Sequence, residues 1–255
     1  MIVLISGASS GLGRQMAIDY SKNNSVSKLI LLGRSEDKMA QTISMLSPKS
    51  FEHYCFDISN QAELSKVMSH ILQNNKIDIA IANAGVSAGT LAGSEGIKQI
   101  NTLISTNING VVGLITPVIE QMIKCKTSKA MGKICLISSV AGLVSLPSSP
   151  SYSASKSFVK VYGDSIRAEL KKHNIQVSVI CPGYIKTPMT AVNKFKMPLL
   201  MSVENASHKI IKAIETGTGF IAFPFIMFAV VKLLGILPYK MRDFILGKLP
   251  KKSSL

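Results

Sequence analysis

Six short, continuous apolar runs constrain this chain more than any other feature. They fall at residues 2–5, 29–32, 53–56, 77–82, 133–137 and 176–180. A strand covered on one face alternates apolar and polar residues, whereas a strand covered on both faces does not. All but the last two runs are followed, after a turn, by sequence of helical period. Strands separated by helices form βαβ units, so the runs predict a doubly wound parallel sheet in three layers, α/β/α. No linker, repeat or low-complexity stretch interrupts the 255 residues, which predicts a single domain.

The first strand runs directly into Gly7-Ala-Ser-Ser-Gly11-Leu-Gly13 and then into helical sequence. Such a turn suits a dinucleotide pyrophosphate. Glycines let the backbone approach the phosphates, and the helix start behind them presents free amides and a positive dipole end. The second run ends in Leu32-Gly33-Arg34-Ser35, with no acid to accept the ribose hydroxyls of NAD. A guanidinium pairs with phosphate in a fixed fork, so Arg34 favours NADP(H) over NAD(H).

The fifth run ends in Ser138-Ser139, and Tyr152-Ser-Ala-Ser-Lys156 follows at the start of a predicted helix. Four residues apart, Tyr152 and Lys156 share one helix face. Reducing a carbonyl requires a proton on its oxygen, and a free phenol with a pKa of about 10 is a reluctant general acid/base. A nearby ammonium lowers that value, and Ser139 can hold the substrate oxygen by a hydrogen bond. Each part alone has a bland reading as a surface pair or a turn; together with the glycine turn they read as one active site.

These residues resemble the short-chain dehydrogenase/reductase family over about residues 1–190. The resemblance implies a Rossmann fold with seven parallel strands, usually in a homodimer or homotetramer. It assigns the cofactor turn to Gly7, Ser9, Ser10, Gly11, Leu12 and Gly13, and the adenine contact to Asp57 and Ile58. Asn83, Ala84 and Gly85 would support the central sheet beside the cofactor, and Pro182, Gly183, Ile185 and Thr187 would bind the nicotinamide carboxamide. Ser139, Tyr152 and Lys156 match the catalytic trio, with Tyr152 and Lys156 also touching the cofactor. Asn107 falls where the family keeps an asparagine in a distorted helix, completing an Asn–Lys–Tyr proton relay. Two positions depart from the pattern: Ala82 replaces a frequent Asn, and Ser10 replaces a basic residue of many NADP-preferring members.

The reading that follows is NADP(H)-dependent interconversion of a ketone or aldehyde and its alcohol, with Tyr152 as general acid/base. An NAD-linked alcohol dehydrogenase of the same fold and a non-catalytic nucleotide-binding protein are the alternatives. A dehydratase or epimerase on this scaffold is a further alternative, disfavoured because such enzymes usually carry a longer C-terminal substrate domain. Residues 1–190 are expected to form the cofactor-binding and catalytic core, and 191–219 a substrate flap and last core helix. Residues 220–255 form an apolar and basic C-terminal segment.

Residues 188–200 carry Met189, Phe195, Met197, Leu199 and Leu200 without a clear period, as an apolar flap over a lipophilic substrate would. Residues 220–231 are almost wholly apolar, broken by Pro224 and ended by Lys232, and a basic tail follows. Crossing a bilayer takes about 20 residues. This shorter run suits attachment through residues 220–252 in the plane of a membrane surface, or a buried last strand plus an oligomer contact.

The net charge of +15 favours anionic ligands and lipid headgroups. Its cations are spread singly rather than in runs interleaved with aromatics, so no nucleic-acid partner is expected. The four cysteines form no C-x-x-C or Cys/His pair, so no metal site is expected. Gly7 comes too early for a secretory signal to precede it, so the cytoplasmic side is expected, and the apolar run over 220–231 would make the protein peripheral on the inner face of a membrane.

Overall fold

The computed structural model describes residues 1–90, 95–125, 131–193 and 195–248. Seven parallel strands form one sheet in the order β3-β2-β1-β4-β5-β6-β7. They are β1 Ile2–Ser6, β2 Lys28–Gly33, β3 Ser50–Cys55, β4 Ile79–Ala82, β5 Gly132–Ile137, β6 Ile175–Pro182 and β7 Phe220–Phe223. The helices are α1 Gly11–Ser21, α2 Glu36–Ser44, α3 Gln61–Asn74, α4 Ile97–Ile104, α5 Gly110–Lys124, α6 Pro150–Leu170, α7 Pro188–Ala191, α8 Val203–Thr216, α9 Phe225–Ile236 and α10 Tyr239–Leu246.

The unbroken apolar strands bury both faces. Val3, Ile5, Leu29, Leu31, Ile79 and Ile81 pack with Met16 and Tyr20 of α1 and Ile210 and Ile214 of α8. Their neighbours Leu4, Ile30, Ala80, Ile134 and Leu136 pack on the opposite face with Leu64 and Met68 of α3, Leu114 and Val118 of α5 and Val159 of α6. Each fully buried aliphatic side chain contributes about 1.5–3 kcal/mol, so interleaving the two sets fixes the register of the central strands.

Residues 220–231 are two elements rather than one apolar stretch. Phe220–Phe223 pairs with β6 at the sheet edge, and helix α9 begins after Pro224. Proline cannot donate to the strand ladder, but its fixed φ suits the start of a helix, so the run divides there. Part of this segment is therefore the last strand, and the rest leaves the sheet. Lys251 and Lys252 lie outside the described residues.

The flap predicted over 188–200 opens with the short helix α7 and is tied down at both ends. The Lys186 amide donates to the Met201 carbonyl at 2.9 Å, and the Met201 amide donates to the Tyr184 carbonyl at 3.0 Å.

Candidate active site

Strand order reverses between β1 and β4, and a cleft of about 570 Å³ opens along the C-terminal ends of the strands there. In doubly wound sheets the splayed connections leave a crevice at this point. All but two of the residues assigned above to the catalytic and cofactor sites line the cleft; Gly13 and Asn107 are not among its lining.

The glycine turn is built by its backbone. Gly7 and Gly11 have φ of +68° and +53°, in the left-handed region that side chains disfavour. A Cβ on Gly13 would lie 2.2 Å from the Gly7 carbonyl oxygen, so only glycine lets α1 start this close to the turn. No side chain caps the first turn of α1, which leaves its amides for an anion. Asn83 braces the turn from β4, its Nδ2 donating to the Ser6 carbonyl at 3.0 Å, while Ser6 Oγ accepts the amides of Asn83 and Ala84. A turn of uncapped amides, held this close to β4 and α1 only because Gly7 and Gly13 lack a Cβ, fits a dinucleotide pyrophosphate.

At one end of the cleft Arg34 is largely exposed, and its Nη1 lies 4.0 Å from Asp57 Oδ2. So loose and wet an ion pair leaves the guanidinium available. Burial works to raise the Asp57 carboxyl, but the Ser59 amide and hydroxyl, with Arg34, outweigh it and hold the pKa below the usual carboxylate value. Lys38 also lines the cleft, a position the sequence reading missed. Its spacing of four residues from Arg34 was the available signal. Arg14 lies close by but is engaged. Its guanidinium donates to the Ser9 carbonyl at 2.7 Å, to the Lys38 carbonyl at 3.1 Å and to Thr42 Oγ1 at 3.0 Å, stitching the glycine turn to α2.

At the other end β5 and α6 bring the trio together. Ser138 Oγ donates to the Lys156 carbonyl at 2.6 Å, pinning strand to helix and leaving Ser139 to face the cleft. Ser139 Oγ accepts the Ala141 amide at 3.1 Å. The Tyr152 hydroxyl is hydrogen-bonded to Ser139 and to Ser87, a second residue missed from sequence. Burial pushes the phenol above its ordinary pKa, and those two hydrogen bonds work against that rise. The lowering by Lys156 expected from sequence is therefore not what dominates here. Lys156 itself is buried, its Nζ donates to the Ile137 carbonyl at 2.9 Å, and burial pulls its pKa down to about 8.

Asn107 sits in a π-helical turn, Ser105–Asn109, between α4 and α5. Its carboxamide bonds Val86 and reaches Ser155 Oγ at 3.0 Å, so it anchors the turn to α6. Beyond the trio the walls become apolar: Tyr184, Met189, Phe195, Met227, Val230 and Leu234. The α9 residues among them carried no recognisable motif. Helix α9 meets Gly183 so closely that a Cβ there would lie 2.7 Å from Met227 Sδ.

Fold and cleft together define a Rossmann-type α/β protein with a dinucleotide-type glycine turn. The family model for short chain dehydrogenases matches residues 1–197, and the chain belongs to that family. It is 36% identical over 200 residues to a dehydrogenase/reductase SDR family member 7B of Xenopus tropicalis, covering 74% of this chain and 62% of that protein. The chain thus spans about three fifths of that relative's length. Two solved structures share the fold, each at 22% identity. A short-chain dehydrogenase from Sphingobium yanoikuyae in complex with NADPH has a TM-score of 0.81, covering 100% of this chain and 98% of its own. One from Mycobacterium paratuberculosis bound to NAD has a TM-score of 0.74, covering 87% and 94%.

Proposed function

We propose that the protein is an NADP(H)-dependent oxidoreductase interconverting an apolar ketone or aldehyde and its alcohol. One observation carries this reading: Ser139, Tyr152 and Lys156 converge on the end of the cleft that the glycine turn opens. The nicotinamide, when bound, supplies hydride to the carbonyl carbon. Tyr152, kept protonated by burial, donates its proton to the carbonyl oxygen. Ser139 holds that oxygen by a hydrogen bond. Below pH about 8 Lys156 carries its charge beside the site and favours the phenolate left behind. Asn107 is a positioning residue, because its carboxamide is spent on Val86 and Ser155.

The remaining site assignments belong to the same reading. Gly7, Ser9, Ser10, Gly11, Leu12 and Gly13 would cradle the pyrophosphate, and Asp57 and Ile58 would flank the adenine. Asn83, Ala84 and Gly85 would support the sheet beside the cofactor, and Pro182, Gly183, Ile185 and Thr187 would hold the carboxamide. Arg34 and Lys38 together support NADP(H), since both line the adenosine end. The second reading, an NAD-linked alcohol dehydrogenase, draws on Asp57, which stands 4.0 Å from Arg34 and offsets part of its charge. The apolar far wall supports a lipophilic substrate. A homodimer or homotetramer, acting on the cytoplasmic side at a membrane surface, completes the proposal.

Tyr152→Phe tests the reaction. Turnover should fall by about 10²–10⁴ while NADPH binding is kept. Unchanged turnover would remove Tyr152 from the chemistry.

A further inference from the structure

Helix α9 is apolar all round apart from Lys232, yet none of its residues is fully buried, and only the face carrying Met227, Val231 and Leu234 is half-covered. A helix of this kind in water needs a partner on every side. Met227, Val230, Val231 and Leu234, spaced i, i+3, i+4, i+7, line the cleft. On the opposite side Phe225 is 74% exposed and Ile236 78%, and in the following helix α10 Phe244 is 67% exposed. Such an apolar expanse on a soluble surface marks an interaction site.

The occupant is indicated by charge and length. Cations lie over rings of both helices: Lys232 is 5.9 Å from the Phe228 ring centroid on α9, and along α10 Arg242 is 4.4 Å from that of Tyr239 and Lys248 4.0 Å from that of Phe244. Between residues 220 and 248 Asp243 is the only acid. Aromatic and aliphatic residues edged by cations match the boundary between acyl chains and anionic headgroups. A second copy would bring the same cations against themselves. Twelve residues make a helix of about 18 Å, too short to cross the hydrocarbon but long enough to lie in the interface.

We propose that α9 and α10 dock on an anionic bilayer, and that the substrate enters the cleft from the lipid past Val230. That residue both lines the cleft and is exposed beside the docking face. This deepens the functional reading above and rests on it for the substrate; the docking itself does not.

The chain contains no tryptophan, so an introduced one reports alone. Ile236→Trp places it on the docking face, and His53→Trp places it on β3 at the opposite edge of the sheet. With vesicles of phosphatidylcholine and phosphatidylserine, Ile236→Trp should shift blue and be quenched by brominated acyl chains, and high salt should weaken both effects. Phosphatidylcholine alone should give much less, and His53→Trp should not respond. No shift, equal shifts at both positions, or a shift that grows with protein concentration without lipid would overturn docking. The last of these results would assign the face to a second copy.

Loading is tested separately, with NADPH and a long-chain ketone carried in the vesicles. Anionic vesicles should raise wild-type turnover several-fold, and Phe225→Asp with Ile236→Asp should lose that gain while still reducing a water-soluble ketone. A gain that survives the double variant overturns loading from the lipid. A wild type that reduces neither ketone defeats the functional reading and with it the loading step, whereas the tryptophan signals still decide the docking.

Discussion

Val86 and Asn107 hold each other by a reciprocal pair of hydrogen bonds. The Val86 amide donates to Asn107 Oδ1 at 2.8 Å, and Asn107 Nδ2 donates to the Val86 carbonyl at 2.9 Å. Since Nδ2 also reaches Ser155, one buried carboxamide joins the loop after β4, the π turn and the helix that carries Tyr152 and Lys156. Asn107→Asp keeps the acceptor and loses both donors. It should cost about 2–3 kcal/mol of stability, read from the urea midpoint, and lower turnover as well. An unchanged midpoint would mean that the clamp is not needed for the fold.

Asn107 and Lys156 both pack against Gly85. A Cβ there would lie 3.1 Å from Asn107 Oδ1 and 3.4 Å from Lys156 Nζ. Gly85→Ala should therefore displace one or both groups by a few tenths of an ångström. We expect turnover to drop on the order of tenfold with little change in thermal midpoint. Wild-type kinetics would show that the contact has slack.

The pH profile should carry the signature of Lys156. Burial lowers its pKa to about 8, so it is charged below that pH and loses its proton as the pH rises through it. The Tyr152 phenol, pushed up by burial, stays protonated over the same range. Ketone reduction should be steady below about pH 8 and decline above it. In Lys156→Arg, which keeps its charge, the inflection should disappear along with much of the turnover. An inflection that persists in the variant belongs to another group.

Tyr20 is 1% exposed, and its hydroxyl has no hydrogen-bond partner among the described residues. Burial raises its pKa, so it stays neutral. Tyr20→Phe removes an unsatisfied group without opening a cavity and should be neutral or stabilising by up to about 1 kcal/mol, measured by denaturant titration. A marked loss of stability would reveal a partner for the hydroxyl.

The features legible in the sequence were those fixed locally. The strands over residues 2–6 and 28–33 follow from β-branched and leucine-rich runs buried on both faces, and the turn at Gly7 to Gly13 follows from backbone that side chains would block. Tyr152 and Lys156 share a face because a helix places them there. Features that depend on distant packing were not legible. Ser87 reaches Tyr152 only because Asn107 ties the loop after β4 to α6, and Met227 enters the cleft only because α9 folds back onto Gly183. The division of residues 220–231 at Pro224 had a local signal, but periodicity could not separate a four-residue strand from the helix after it. The electrostatics of Tyr152 were not legible either. A four-residue spacing shows that an ammonium is near but says nothing about burial, and burial decides the direction.

The most direct test of the central proposal is a fluorescence titration of NADPH and of NADH with the wild type and Arg34→Ala. The wild type should bind NADPH at least tenfold more tightly than NADH, and the substitution should abolish most of that preference by weakening NADPH alone. Equal binding of both nucleotides, unaffected by Arg34, would contradict the 2′-phosphate reading and favour NAD-linked alcohol oxidation; binding of neither would contradict the enzymatic account as a whole.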